Sequence, residues 1–198
     1  RVLFPALSKL QENILEFKKV ANKGIGYSAI GLGLLFGGIA CSAHYIVPVL
    51  FPSKWNDAIQ LLPICAFAFF VSQIRYLGSS VMNAIGNPKR LFYLELTTII
   101  IEFMVAIPAT IYGAGKGYLI GLSFVECIMC VVMFVVNREY FQTGVYRRVL
   151  IITFSILGYY FLYQNFVVYE EEYRYIGLVG IIISFPLLYL GTLFVLDE

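Results

Sequence analysis

Within the apolar run 59–85, Ser72, Arg75, Tyr76, Ser79, Ser80 and Asn83 recur at intervals of three and four residues. On a helix this spacing puts all six on one face. Two further runs carry Glu102, with Thr98 and Glu95 one and two turns away, and Glu126, beside Ser123 and Cys130. The chemistry open to such a set is that of charge inside hydrocarbon: ion pairing, hydration of a cavity, or passage of something polar. An arginine at the centre of a spanning helix costs about 2.5–3.5 kcal/mol on insertion scales, so it demands a partner or water. At about 1.5 Å per residue, Arg75, Glu102 and Glu126 all fall within a turn or two of the same depth. Ionisable residues gathered at one depth mark a functional site by default. A static ion pair that locks the helices together is the other reading, and a pair that opens and closes would satisfy both.

The elements that must carry these residues follow from composition. Of the 198 residues, 60% are apolar and 13% charged, with a mean hydropathy of +0.83. Soluble domains run at about 45–50% apolar and about 25% charged, so the chain reads as an integral membrane protein. Six runs reach spanning length: 24–51, 59–85, 91–112, 117–136, 149–168 and 175–196. They lack the alternation of barrel strands and are about twice as long, which leaves helices. The predicted fold class is thus an all-α polytopic membrane protein of six transmembrane helices.

Short polar connections join the runs: FPSKWNDA, GNPKR, GAGKG, NREYFQTGVYRR and YEEEYR. Arg1, Lys9, Lys18, Lys19, Lys23, Lys89, Arg90, Arg138, Arg147 and Arg148 fall on one side, against Lys54, Lys116 and Arg174 on the other. The positive-inside rule then predicts both ends of the segment in the cytoplasm and Glu170–Glu172 outside. No secretory signal is present, because the apolar segments are too long and too many. Short loops and this charge bias fit a bacterial or archaeal inner membrane.

Other motifs carry less. Cys41, Cys65, Cys127 and Cys130 all lie in spans, and CIMC reads as small packing residues rather than a zinc half-site. GAGKG lacks the Ser/Thr and the preceding strand of a phosphate loop and reads as a tight interhelical turn. His44 reads as a hydrogen-bonded residue near the outer interface. Gly33 and Gly37 form a GxxxG pair that admits a close neighbour. Trp55, Tyr159, Tyr160, Tyr163, Tyr169, Tyr173 and Tyr175 form an expected outer aromatic belt. Pro48, Pro108 and Pro186 are candidate kinks. Nothing calls for a cofactor, a metal or a nucleic-acid partner.

The chain opens RVLFPALSKLQENILEFKKVANKGIG, without methionine. Leu7, Leu10, Ile14, Leu15, Phe17 and Val20 alternate with charged residues at roughly a helical period, as in a helix lying at a membrane surface. VLFP reads as the tail of a preceding span that its proline ends. Together with LFPSKWNDAIQLLPI and NAIGNPKR, this stretch resembles the polysaccharide (O-antigen type) flippase family of the multidrug/oligosaccharidyl-lipid/polysaccharide flippase superfamily. The resemblance covers about residues 2–135, and its motifs are specific only as an ensemble.

The resemblance implies a carboxy-terminal piece of a larger two-bundle transporter. Residues 1–23 would be the end of a preceding span and a cytoplasmic amphipathic elbow, 24–136 four helices of the second bundle, and 137–198 a loop and two terminal helices. The remaining partner would be an amino-terminal bundle of the same chain. The implied activity is flipping of a lipid-linked oligosaccharide, a polyprenyl-pyrophosphate glycan, from the cytoplasmic to the outer leaflet by alternating access among membrane lipids. Arg75 would contact the anionic headgroup, with Ser72, Tyr76, Ser79, Ser80 and Asn83 lining its path. Glu102, Glu126 and Glu95 would be counter-charges or sites for a coupling Na+ or H+. The alternative is an ion-coupled multidrug exporter of the same superfamily, marked by an unpaired Glu102 or Glu126 and opposed by a free Arg75. A membrane glycan polymerase or ligase fits less well: the outward loops are a few residues long and no nucleophile–base constellation is present. The chain therefore reads as no enzyme.

Overall fold

The computed structural model describes residues 3–166 and 174–196, and every regular element among them is helical. Helix α1 spans Leu3–Ser8, α2 Ile14–Leu50, α3 Ala58–Ala84, α4 Pro88–Val136, α5 Thr143–Phe166 and α6 Arg174–Leu196; a single 3-10 turn, Ser53–Trp55, precedes α3. Glu170–Glu172, Tyr169, Tyr173 and the last residues of the expected fifth span lie outside the described residues. The all-α class is the one predicted, and its long apolar helices are those of an α-helical membrane protein by length and composition.

Five of these helices, α2 to α6, are long and apolar enough to cross a membrane, where six were expected. The difference lies in α4, a 49-residue element that contains both the third and the fourth expected span. Helix reaches into GAGKG from both sides, and only Ala114, at φ 48° and ψ −141°, leaves helical angles. That one residue redirects the chain. In a straight helix Ala109 and Gly117 would be about 12 Å apart along the axis. Here a side chain at Gly117 would collide with the Ala109 carbonyl, and Gly121 rests on Ala109 and Val105. The arms 88–113 and 115–136 therefore lie side by side, with glycine at the two positions of closest approach.

Helix starts and stops follow local chemistry. Asn13 caps α2, its side chain accepting from the Glu16 amide at 3.3 Å, and Glu16 adds a negative charge to the first turn. Between α3 and α4, Gly86 takes φ 81° and Pro88 begins the next helix, where its missing N–H costs nothing. The charged segment 14–23 is continuous with the first span, so the boundary drawn at residue 23 is a change of composition and not of backbone.

Helix α2 is the hub, packing on α3, α5 and α6. Its buried face is rich in small residues, including Ala21, Ala29, Gly33, Gly37, Ala40 and Ala43, which let neighbours approach closely. A Cβ at Gly33 would meet the Tyr189 hydroxyl and Ile152; one at Gly37 would stand 2.6 Å from the Phe185 ring. The GxxxG pair thus seats aromatic side chains of α6. Tyr159, expected in the aromatic belt, instead is buried and donates to the Leu188 carbonyl at 2.9 Å, tying α5 to α6. His44 is hydrogen-bonded to Gln164, as expected.

Candidate functional site

Helix α3 packs on both arms of α4, and Ser72, Arg75, Tyr76 and Ser79 of the polar stripe lie at that seam. Arg75 is 3% exposed. Its Nη1 donates to Glu95 Oε2 at 2.6 Å, its Nε to Glu126 Oε2 at 2.9 Å and its Nη2 to Glu126 Oε1 at 3.4 Å. The contact with Glu126 is the two-pronged geometry that a planar guanidinium favours. Ser79 adds a second tie, its Oγ donating to Glu95 Oε1 at 3.0 Å. Three helical segments therefore meet on one cation, and no buried side-chain nitrogen or oxygen among the described residues lacks a partner.

A cavity of about 440 Å³ opens beside the pair, lined by Ser72, Arg75 and Tyr76 of α3, Glu95 and Glu102 of the first arm and Glu126 of the second. The Tyr76 ring is half exposed, and the Arg75 guanidinium carbon sits 4.9 Å from its centre, a cation–π contact. Glu102 faces the cavity without a hydrogen bond or ion pair among the described residues. One guanidinium is thus surrounded by three carboxylates, two of them bonded to it.

Most of the sequence-predicted residues converge. Ser72, Arg75, Tyr76, Glu95, Glu102 and Glu126 line one cavity, and Ser79 braces it. Ser80 and Asn83 do not join them. Ser80 turns back on its own helix to the Tyr76 carbonyl at 3.0 Å, and Asn83 is exposed in the last turn of α3. Arg75 meets two of the three carboxylates expected as its counter-charges, Glu95 and Glu126, which engage three of its nitrogens. Thr98, named in sequence only as a neighbour of Glu102, is 2% exposed and lines the cavity between the two first-arm glutamates. Its hydroxyl is returned to the Leu94 carbonyl at 2.8 Å.

No protein-family model, curated protein or solved structure matches the chain.

Proposed function

We propose that the chain is part of an ion-coupled transporter that flips lipid-linked oligosaccharide from the cytoplasmic to the outer leaflet by alternating access. The observation that carries the transport reading is the cavity in which Arg75 is held by Glu95 and Glu126 while Glu102 faces open space. Charges are kept inside apolar spans at considerable cost, and a half-open cluster of them suits a site that exchanges partners. The cargo comes from the sequence resemblance. In this reading each arm of α4 crosses the bilayer, so that six passes result, with both ends cytoplasmic in a bacterial or archaeal inner membrane. The described helices would be part of the second of two bundles, with the cavity turned toward the first.

The geometry gives the cycle a form. Glu95 is the more accessible partner of Arg75, with its side chain 30% exposed against 7% for Glu126. A coupling Na+ or H+ that neutralises Glu95 would weaken the hold on Nη1, with Glu102 as the carboxylate that draws the ion into the cavity. A pyrophosphate oxygen could then take the freed donor, while Glu126 keeps the guanidinium in place. The test is translocation of a lipid-linked oligosaccharide in proteoliposomes with Na+ and H+ gradients imposed separately. Glu102→Gln should abolish dependence on one gradient while the protein remains folded. Equal dependence in wild type and variant would refute the coupling role.

A second reading is favoured by the excess of carboxylates. With Arg75 already satisfied and Glu102 unpaired, the cavity suits a cationic drug, as an exporter of the same superfamily would require. Efflux of a cationic dye that ceases with Glu102→Gln, with no oligosaccharide movement, would select it.

A further inference from the structure

A second cavity lies away from the carboxylates, where the first three turns of α2 meet the start of α5. It measures about 610 Å³ and is lined by Lys19 and Lys23 of α2, Gln142 ahead of α5, and Gly144, Arg147 and Arg148 of α5. Four side chains on its wall are cationic and none is acidic. Lys19 and Lys23 are exposed and make no ion pair among the described residues, whereas Arg147 and Arg148 have interactions of their own. The cavity is built by a buried residue. Asn22, 7% exposed, donates to the Tyr140 carbonyl at 3.1 Å and accepts from the Gln142 amide at 2.8 Å. These bonds clamp the segment before α5 onto α2 and fix the spacing between the two basic pairs. The start of α5 also borders the cavity, and its first amide groups are attracted to negative charge.

Depth narrows the ligand. Lys23 directly precedes the apolar run of α2, and Arg148 directly precedes that of α5. All four cations therefore stand where hydrocarbon gives way to headgroups, the level at which lipid phosphates lie.

We infer that the pocket framed by Lys19, Lys23, Arg147 and Arg148 binds a phosphate group at the membrane surface. The ligand is a phosphate ester or free phosphate, and an anionic phospholipid headgroup is the form the depth favours. The site is independent of the transport reading, since it shares no residue with the cavity around Arg75.

The test is native mass spectrometry of the full chain in neutral detergent, titrated with phosphatidylglycerol, with phosphatidylcholine and with inorganic phosphate. Each surface lysine adds about fivefold to binding of an anionic headgroup. Lys19→Gln with Lys23→Gln should then weaken phosphatidylglycerol binding roughly 25-fold. Lys89→Gln with Arg90→Gln, a basic pair outside the pocket, should leave it unchanged. Displacement of the lipid by millimolar phosphate would identify a soluble phosphate as the ligand, and failure to displace it would identify the lipid. Lysine acetylation of the unaltered protein gives a reading that does not depend on variants folding: Lys19 and Lys23 should be protected by phosphatidylglycerol or by phosphate. The inference is overturned if neither lysine is protected, or if the pocket and control variants hold phosphatidylglycerol equally well.

Discussion

Arg75 Nε lies 2.9 Å from Glu126 Oε2, joining α3 to the second arm of α4 across 51 positions of sequence. Glu126 also receives Nη2 at 3.4 Å, while the remaining bond, from Nη1, goes to Glu95 on the first arm. One guanidinium thereby sets the position of both arms relative to α3. Removing one partner of a buried pair costs about 3–5 kcal/mol. Arg75→Ala should lower stability by that order, read as a fall in the unfolding midpoint in detergent. Arg75→Lys should recover part of it, because an ammonium keeps the charge and loses the planar fork.

Ala114 holds φ 48° and ψ −141°, a conformation open to glycine and strained for a residue with a side chain. Ala114→Gly should therefore be tolerated or raise stability by about 1 kcal/mol. Ala114→Val should lower it by at least as much. Unfolding midpoints of the two variants, measured side by side, check the sign.

At Gly33 and Gly37 the neighbouring side chains leave no room for a Cβ. Gly37→Leu forces Phe185 and Ile156 out of place, and overpacking of this kind costs about 1–3 kcal/mol. Gly31, with nothing within 4 Å of its would-be Cβ, is the control. Gly31→Ala should leave the midpoint unchanged or raise it, since alanine is the better helix former.

Much of this arrangement is legible in the sequence, and the gaps have identifiable causes. Hydropathy places α3 within one residue of its observed limits, 59–85 expected against Ala58–Ala84. Depth counting brings Arg75, Glu102 and Glu126 together, because residue number measures height along a helix. It does not measure the axial offset between neighbours, so Glu95 rather than Glu102 as the second partner of Arg75 is not foreseeable. Both glutamates occupy the same face of the first arm. Ser80 fails for an angular reason: eight residues at about 100° each leave it about 80° round the helix from Ser72. The third and fourth expected spans fall within one element because a single residue of GAGKG, Ala114, makes the turn between two helical arms.

Orientation gives a prediction that needs no substrate. In intact cells an impermeant thiol reagent should label Lys54→Cys and Lys116→Cys in a background lacking the native cysteines, and should spare Asn87→Cys and Gln142→Cys. The reverse pattern would turn the protein over and reverse the proposed direction of flipping.

The central claim is that the Arg75 cluster works during transport instead of merely fastening α3 to α4. Arg75→Met with Glu126→Leu replaces the buried pair by apolar side chains of similar size, an exchange that is often neutral or stabilising, and Glu95, its side chain 30% exposed, keeps Ser79 and access to water or a proton. The measurement is the rate of lipid-linked oligosaccharide translocation by this double variant in the intact protein, inserted to the wild-type level. The account predicts a stable protein that does not transport. Translocation at the wild-type rate would contradict it and leave the pair a structural lock.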